Sequence, residues 1–312
     1  MTIIEKFIKG DIMKKMLFVY NANAGKAQIK NHLVPILDTF VKGGYDVVVR
    51  PTQQRLDAFE TVKQRADEFD LIACSGGDGT LNETVKGVIS SGQRVPIGYI
   101  PAGTTNDFAT SLGISKDMTE AAADIISGTP FECDIGEFNG INFNYIAAFG
   151  LFTEVSYQTS QQKKNLFGHL AYVIEGAKSL ASVTSYHMKI EYDDKVIEDD
   201  FIFGMVSNSM SVGGFTTKTD LGVKLNDGLF EAAFIKMPKS SVQLQETLSA
   251  LKKFELESDF FYLFRAKKIK ITASELVPWT LDGEFGGNIK EAEINCCHKA
   301  VSFIVKDSPD ED

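Results

Sequence analysis

Two hydrophobic periodicities follow one another in this chain, and their order limits the folds open to it. Met16 to Tyr20 is a short apolar run, followed by the loop Asn21 to Gly25 and by residues of helical period up to Val41. Tyr45 to Arg50 repeats the strand, Arg55 to Phe69 the helix, Asp70 to Cys74 a strand, Thr80 to Ser90 a helix and Pro96 to Ile100 a strand. Such alternation implies a parallel sheet with helices packed on its faces, and ligands of such sheets sit at the carboxyl ends of the strands.

After about Asp134 the period drops to two. Asn139-Gly140 separates Phe131–Phe138 from Ile141–Phe149, and Asp193-Asp194 separates two further strands, so the second half reads as mostly antiparallel sheet. Two segments interrupt it: Asn165 to Leu180, and Ser240 to Phe254, whose Val242, Leu244, Leu248 and Leu251 fall near one helical face. Ala300 to Lys306 is a final strand that either domain can claim.

A length of 312 residues suits two domains, and no block repeat or heptad run points to a solenoid or coiled coil. A net charge of −10 disfavours nucleic acid and tight electrostatic adsorption to anionic membranes. Apolar runs such as Tyr145 to Phe152 fall far short of the ~20 residues that cross a bilayer, and no signal-peptide pattern opens the chain. A cytoplasmic protein with local, transient membrane contact is expected. Cys74, Cys133, Cys296 and Cys297 lack the spacing of a zinc site and the density of a disulfide framework, so they read as reduced. The four histidines form no metal set, and Trp279 reads as packing; no role is assigned to Met1–Asp11.

The chemistry concentrates in two loops at strand ends. Ser75-Gly76-Gly77-Asp78-Gly79-Thr80 follows a buried strand and opens a helix, which lets main-chain amides approach a polyphosphate. A carboxylate at Asp78 would repel that phosphate unless a cation lay between, which predicts Mg²⁺; the alternative is a tight turn capped by the aspartate. Pro101 to Ala109 follows the next strand in the same way, and its alternative is a helix-capping turn.

In order, Asn21 to Lys26, Gly76 to Glu83, Pro101 to Ala109, Asn208 to Gly214, Leu225 to Gly228 and Asp282-Gly283-Glu284 resemble the motifs of the diacylglycerol kinase family, in its soluble bacterial branch. The resemblance covers nearly the whole chain from about Met16. It implies a Rossmann-like parallel α/β nucleotide-binding domain over residues 1–135, with 299–312 able to return to it. A larger antiparallel β-sandwich domain for the lipid spans 136–298, with catalysis in the cleft between the two. Carried over by position, Asn21, Ala22, Asn23, Ala24, Gly25, Thr52, Gly77, Asp78, Gly79, Thr80, Leu81, Asn82, Glu83 and Thr104 look like nucleotide contacts. Asp78, Asp107 and Asp134 look like a water and Mg²⁺ network, and Lys26 could add charge near phosphate or headgroup or be an exposed lysine at a helix start. The family's Asn-Pro-x-Ser-Gly is replaced by Asn21-Ala22-Asn23-Ala24-Gly25, leaving Asn23 to stand in for the lost hydroxyl.

In the second half, an extended backbone through Asp282-Gly283-Glu284 would put both acids on one side. The resemblance makes Glu284 the proton acceptor and Asp282 the residue that orients the hydroxyl or a metal; an acidic β-turn is the alternative. Asn226-Asp227-Gly228 is an ordinary turn on its own, to which the resemblance adds a structural Mg²⁺ held by Asp227 and the main-chain oxygens of Lys224 and Leu229. Lys163-Lys164 could touch a bilayer or be a solvated pair. The expected activity is transfer of the γ-phosphoryl of ATP to diacylglycerol, giving phosphatidic acid, with a homodimer possible. The alternatives are another lipid alcohol (phosphatidylglycerol or a sphingoid base), a soluble substrate of the NAD kinase type, and a noncatalytic nucleotide or lipid sensor.

Overall fold

The computed structural model describes residues 13–103, 106–150, 183–208, 211–212, 215–216, 224–253 and 258–309. The chain divides into two units, one drawn from Met1–Cys133 with Lys299–Asp312, the other from Asp134–His298. The expected helix over Asn165–Leu180, the pair Lys163-Lys164 and residues Met1–Asp11 lie outside the described residues.

The first unit alternates β1 (Lys14–Tyr20), α1 (Ile29–Lys42), β2 (Tyr45–Pro51), α2 (Asp57–Arg65), β3 (Leu71–Gly76), α3 (Asp78–Ser91), β4 (Ile97–Pro101), α4 (Asp107–Ser111) and α5 (Met118–Ser127). The strands are parallel in the order β4-β3-β1-β2, and the carboxyl end of the last strand of the chain adds beside β4 through Phe303 and Ile97. Strand β3 is buried at every position because it is paired on both sides and covered on both faces, so it carries no alternation. Phe18, Ile36, Phe40, Ala73, Ile100, Ala121 and Ile125 share one core cluster, with Phe18 and Phe40 edge to face at 5.5 Å.

Helix α2 is shorter than the expected Arg55 to Phe69. Leu56 is left-handed at φ 67°, which ends the helix on its amino side, and Ala66–Glu68 tighten into a 3₁₀ turn. Helix α3 starts at Asp78 rather than Thr80.

In the second unit, β5 (Thr129–Phe138) enters from the first; then come β6 (Ile141–Phe143), β7 (Ile146–Gly150), β8 (Tyr186–Tyr192), β9 (Lys195–Ser207) and the two-residue β10 (Ser211–Val212) and β11 (Phe215–Thr216). β12 (Phe230–Lys236), α6 (Ser241–Lys253), β13 (Phe261–Ala266), β14 (Lys268–Leu281) and β15 (Glu284–Val305) complete it, β15 running on into the first unit. Pairing is antiparallel in the order β13-β12-β9-β7-β14-β15, and β8 joins β14 to β9. Trp279 is buried against Phe138 and Phe149, each ring 4.9 Å away, so it packs the core as expected.

Asn139-Gly140 and Asp193-Asp194 are hairpin turns, with Asn139, Gly140 and Asp193 at positive φ. The expected single strand from Ile141 to Phe149 is split at Asn144-Tyr145, whose main-chain amides are taken by a side chain described below. In α6, Leu251 is fully buried and Leu244 and Leu248 pack beside it, but Val242 is 65% exposed; two residues from Leu244, it falls on the far side of the helix.

Candidate active site

Three loops at the carboxyl ends of β1, β3 and β4 come together in the first unit, where a parallel sheet places its ligands. The Asn21 amide donates to the Ser75 carbonyl at 2.8 Å, and its side-chain oxygen accepts from the Asn23 amide at 2.9 Å. This Asx turn shapes the loop that lacks the family's proline. Ala24 turns inward to the core, while Asn23 and Lys26 are exposed.

The contacts between loops are main chain on main chain. A Cβ at Gly25, which sits at φ +53°, would lie 2.3 Å from the Ala102 oxygen, and one at Gly103 would lie 2.6 Å from the Gly77 Cα. Only glycine fits either place. Asn106 clamps the β4 loop, its Oδ1 accepting from the Gly103 amide at 3.0 Å and its Nδ2 donating to the Gly103 carbonyl at 2.9 Å. The Tyr99 hydroxyl lies 3.0 Å from the Gly76 carbonyl and 3.1 Å from Asn106 Oδ1, two acceptors that share its single proton where the β3 loop meets that clamp. Burial holds the Tyr99 phenol well above its ordinary value, with Asp78 adding to the effect, and the proton therefore stays on the donor.

Helix α3 begins directly behind this seam, and its cap, Gly77, has no side chain to satisfy the first amides. The amino end of a fourteen-residue helix supplies partial positive charge there. Asp78 and Asp107 are the first residues of α3 and α4, at neighbouring strand ends. The glycine seam and helix start fit a polyphosphate; Asp78 and Asp107 carry the hard oxygen donors a magnesium ion takes, but among the described residues no group of three or more His, Cys, Asp or Glu is gathered to hold one.

The other expected nucleotide contacts divide. Ala22 lies in the loop after β1, Gly79 and Asn82 in the first turns of α3, and Thr52 follows β2, its amide donating to the Tyr20 carbonyl at 2.9 Å. Leu81 is fully buried, which leaves only its main chain for a ligand, and Thr80 is nearly so. Glu83 faces elsewhere: its carboxylate accepts from the amides of Leu56 at 2.8 Å and Ala58 at 3.2 Å, at the amino end of α2. Thr104 lies outside the described residues. Tyr99 and Asn106 were missed as site-forming residues. The asparagine carried a capping signal only, and the tyrosine carried none, since its Gly76 partner lies on another strand.

In the second unit, Asp134 is fully buried. It accepts from the Gly228 amide at 2.6 Å and pairs with His298 Nδ1 at 3.0 Å, while its own amide donates to the Leu225 carbonyl at 2.7 Å. It thus anchors the Asn226–Gly228 turn. Asp227 Oδ1 accepts from the Leu229 amide at 3.1 Å, and Oδ2 takes a hydrogen bond from Arg265 Nη2. Arg265 Nε in turn donates to Glu231 at 3.0 Å. Burial pushes the Glu231 carboxyl up to about 7, even though Arg265 opposes the shift. A magnesium ion needs several oxygens at about 2.1 Å. Here both Asp227 oxygens are committed, one of them to a guanidinium, so this turn as arranged does not fit the divalent ion that the resemblance implied at Lys224, Asp227 and Leu229. Sequence reasoning missed Arg265 and Glu231, which stand directly opposite on β13 and β12.

Asp282 and Glu284 are not on an extended backbone. Asp282-Gly283 is a two-residue hairpin turn with both residues at positive φ, and Leu281 pairs with Glu284 across it. The strand alternation that would align the two acids is therefore absent. The Asp282 carboxylate accepts from three successive amides, Asn144 at 2.6 Å, Tyr145 at 3.0 Å and Ile146 at 3.2 Å. Glu284 opens β15 in an exposed position beside Phe285, which is 70% exposed.

The model of the diacylglycerol kinase catalytic domain matches residues 15–138, and that of the YegS C-terminal NAD kinase beta sandwich-like domain matches 147–305. A diacylglycerol kinase of Bacillus subtilis strain 168 is 35% identical over 285 residues, covering 91% of this chain and 94% of that protein. The chain belongs to the diacylglycerol kinase family. A second member, from Staphylococcus carnosus, is 31% identical, with 94% of this chain and 96% of that one covered. A solved structure from Bacillus anthracis superposes with a TM-score of 0.78 at 26% identity, covering 94% of this chain and 96% of that one. A diacylglycerol kinase structure from the same organism, 24% identical with a TM-score of 0.73, shares the fold over 94% of this chain and 97% of its own. Membership makes the chain a lipid kinase of Rossmann-like plus β-rich architecture, and the kinase family implies ATP as phosphoryl donor. Among the described residues, no helix is long and apolar enough to cross a membrane.

Proposed function

We propose that this protein transfers the γ-phosphoryl group of ATP to the free hydroxyl of diacylglycerol, giving phosphatidic acid. The observation that carries the reading is the glycine seam Gly25–Ala102 and Gly77–Gly103 at an open helix start, a main-chain cradle of the kind polyphosphates use, in a chain whose relatives are named for this activity. In the proposed mechanism the amides of the seam and of α3 hold the phosphates, and Tyr99 and Asn106 keep the seam rigid. Asp78 and Asp107 would hold magnesium, which when bound neutralises phosphate charge. Glu284 takes the proton of the lipid hydroxyl, and Asp282 positions it by fixing the hairpin. The lipid is taken from the inner face of the membrane by a transiently docked cytoplasmic protein.

Purified protein with labelled ATP, magnesium and a panel of diacylglycerol, phosphatidylglycerol and a sphingoid base in detergent micelles tests the substrate. Labelled phosphatidic acid is expected; phosphorylation of another alcohol alone would replace diacylglycerol, and no transfer to any would favour a sensor. Glu284→Gln should abolish turnover and leave nucleotide affinity within about twofold, and retained turnover removes Glu284 from the proton-accepting role.

A further inference from the structure

Carboxylates surround the turn Asn226–Gly228, and a guanidinium reaches one of them. Asp134 and Asp227 each give both carboxylate oxygens to partners: Gly228 and His298 for the first, Leu229 and Arg265 for the second. Arg265 reaches the turn from β13, where it pairs in register with Glu231 of β12, and its guanidinium bridges the Asp227 and Glu231 carboxylates. The register of two adjacent strands therefore delivers a fixed cation to the turn. The fit is also chemical, because a planar guanidinium offers several donors to carboxylates at set angles.

We infer that Arg265 is the resident cation of the Lys224–Leu229 turn, which keeps its shape in this chain without a divalent ion. A metal entering at Asp227 would have to displace the guanidinium or sit against it, cation on cation. Leu225, fully buried beside the turn, and the Asp134 contacts to Leu225 and Gly228 hold the same loop independently of any metal.

The test uses the full chain without nucleotide, so it does not depend on the phosphoryl-transfer reading. Thermal unfolding of the wild type should have the same midpoint in EDTA and in millimolar Mg²⁺, and Arg265→Met should melt several degrees lower than wild type in EDTA. An Mg²⁺-dependent rise in the wild type that Asp227→Asn removes would overturn the inference, as would an Arg265→Met protein that melts like the wild type. Should Arg265→Met fail to fold, Mn²⁺ titration of wild type and Asp227→Asn, followed by electron paramagnetic resonance, reads the turn directly. Equal binding by the two proteins is the expected result, and one ion lost with Asp227→Asn is the overturning one.

Discussion

Single residues in this protein act mostly by what they leave room for or what they hold. Gly103 lies so close to Gly77 that Gly103→Ala must part the β3 and β4 loops. A fluorescent-nucleotide titration should show affinity falling tenfold or more, about 1.4 kcal/mol, with far-UV circular dichroism unchanged. His187 tests electrostatics away from the site: its ring nitrogens lie 3.0 Å from Asp200 and 3.3 Å from Glu198 on the neighbouring strand. Hydrogen bonding to Asp200, then to Glu198, raises its pKa above 6.5. Protonated imidazole is therefore favoured in the folded state, and this contribution is full below pH 6.5 and lost as pH rises through the higher folded value. A proton NMR titration should place the midpoint above 6.5 in the wild type, and Asp200→Asn should bring it down. The exposed position makes the gain in stability small.

At the level of elements, the hairpin between β14 and β15 shows how a turn can govern a distant strand. Asp282 reads locally as the first residue of an Asp-Gly turn, yet its carboxylate collects the amides of Asn144, Tyr145 and Ile146 and so breaks the expected strand into β6 and β7. Asp282→Ala leaves three amides to find new partners and should cost about 3 kcal/mol in urea unfolding. Turnover should fall with it, through displacement of Glu284 two positions on. Glu231, on β12 opposite Arg265 of β13, works in the opposite sense. Its folded pKa of about 7 lies above the ordinary 4.5, so its contribution is greatest below 4.5 and is lost as pH rises through 7. Glu231→Gln should flatten the decline of the melting temperature between pH 5 and 8, as measured by calorimetry.

For the whole molecule, the decisive fact is that the first unit is assembled from both ends of the chain. Phe303 is fully buried, lies beside Ile97 of β4 and meets Phe108 at 5.3 Å between ring centres, nearly two hundred positions away in sequence. Phe303→Ala should destabilise by about 3 to 5 kcal/mol. Removing residues 299–312 should abolish nucleotide binding although every glycine loop remains, as equilibrium dialysis with labelled ATP would show. The alternating pattern up to Ile100 made the parallel sheet legible, since burial on both faces forces continuous apolar strands. The glycine loops were legible too, because the need for close main-chain approach is written in residue type.

Local chemistry thus settled by itself the fold class, the glycine-rich loops and the Asn139-Gly140 and Asp193-Asp194 turns, since helix and strand periods and glycine's missing side chain act over a few neighbouring positions. Folding in three dimensions alone decided that Tyr99 and Asn106 lock the loops, that Glu83 caps a helix, that Asp282 braces a remote strand and that Arg265 sits at the Asp227 turn. Apart from the local bonds of Asn106 to Gly103 and Tyr99, these are pairings between groups far apart along the chain, whose partners are chosen by strand register and helix packing, quantities that no short stretch of residues specifies.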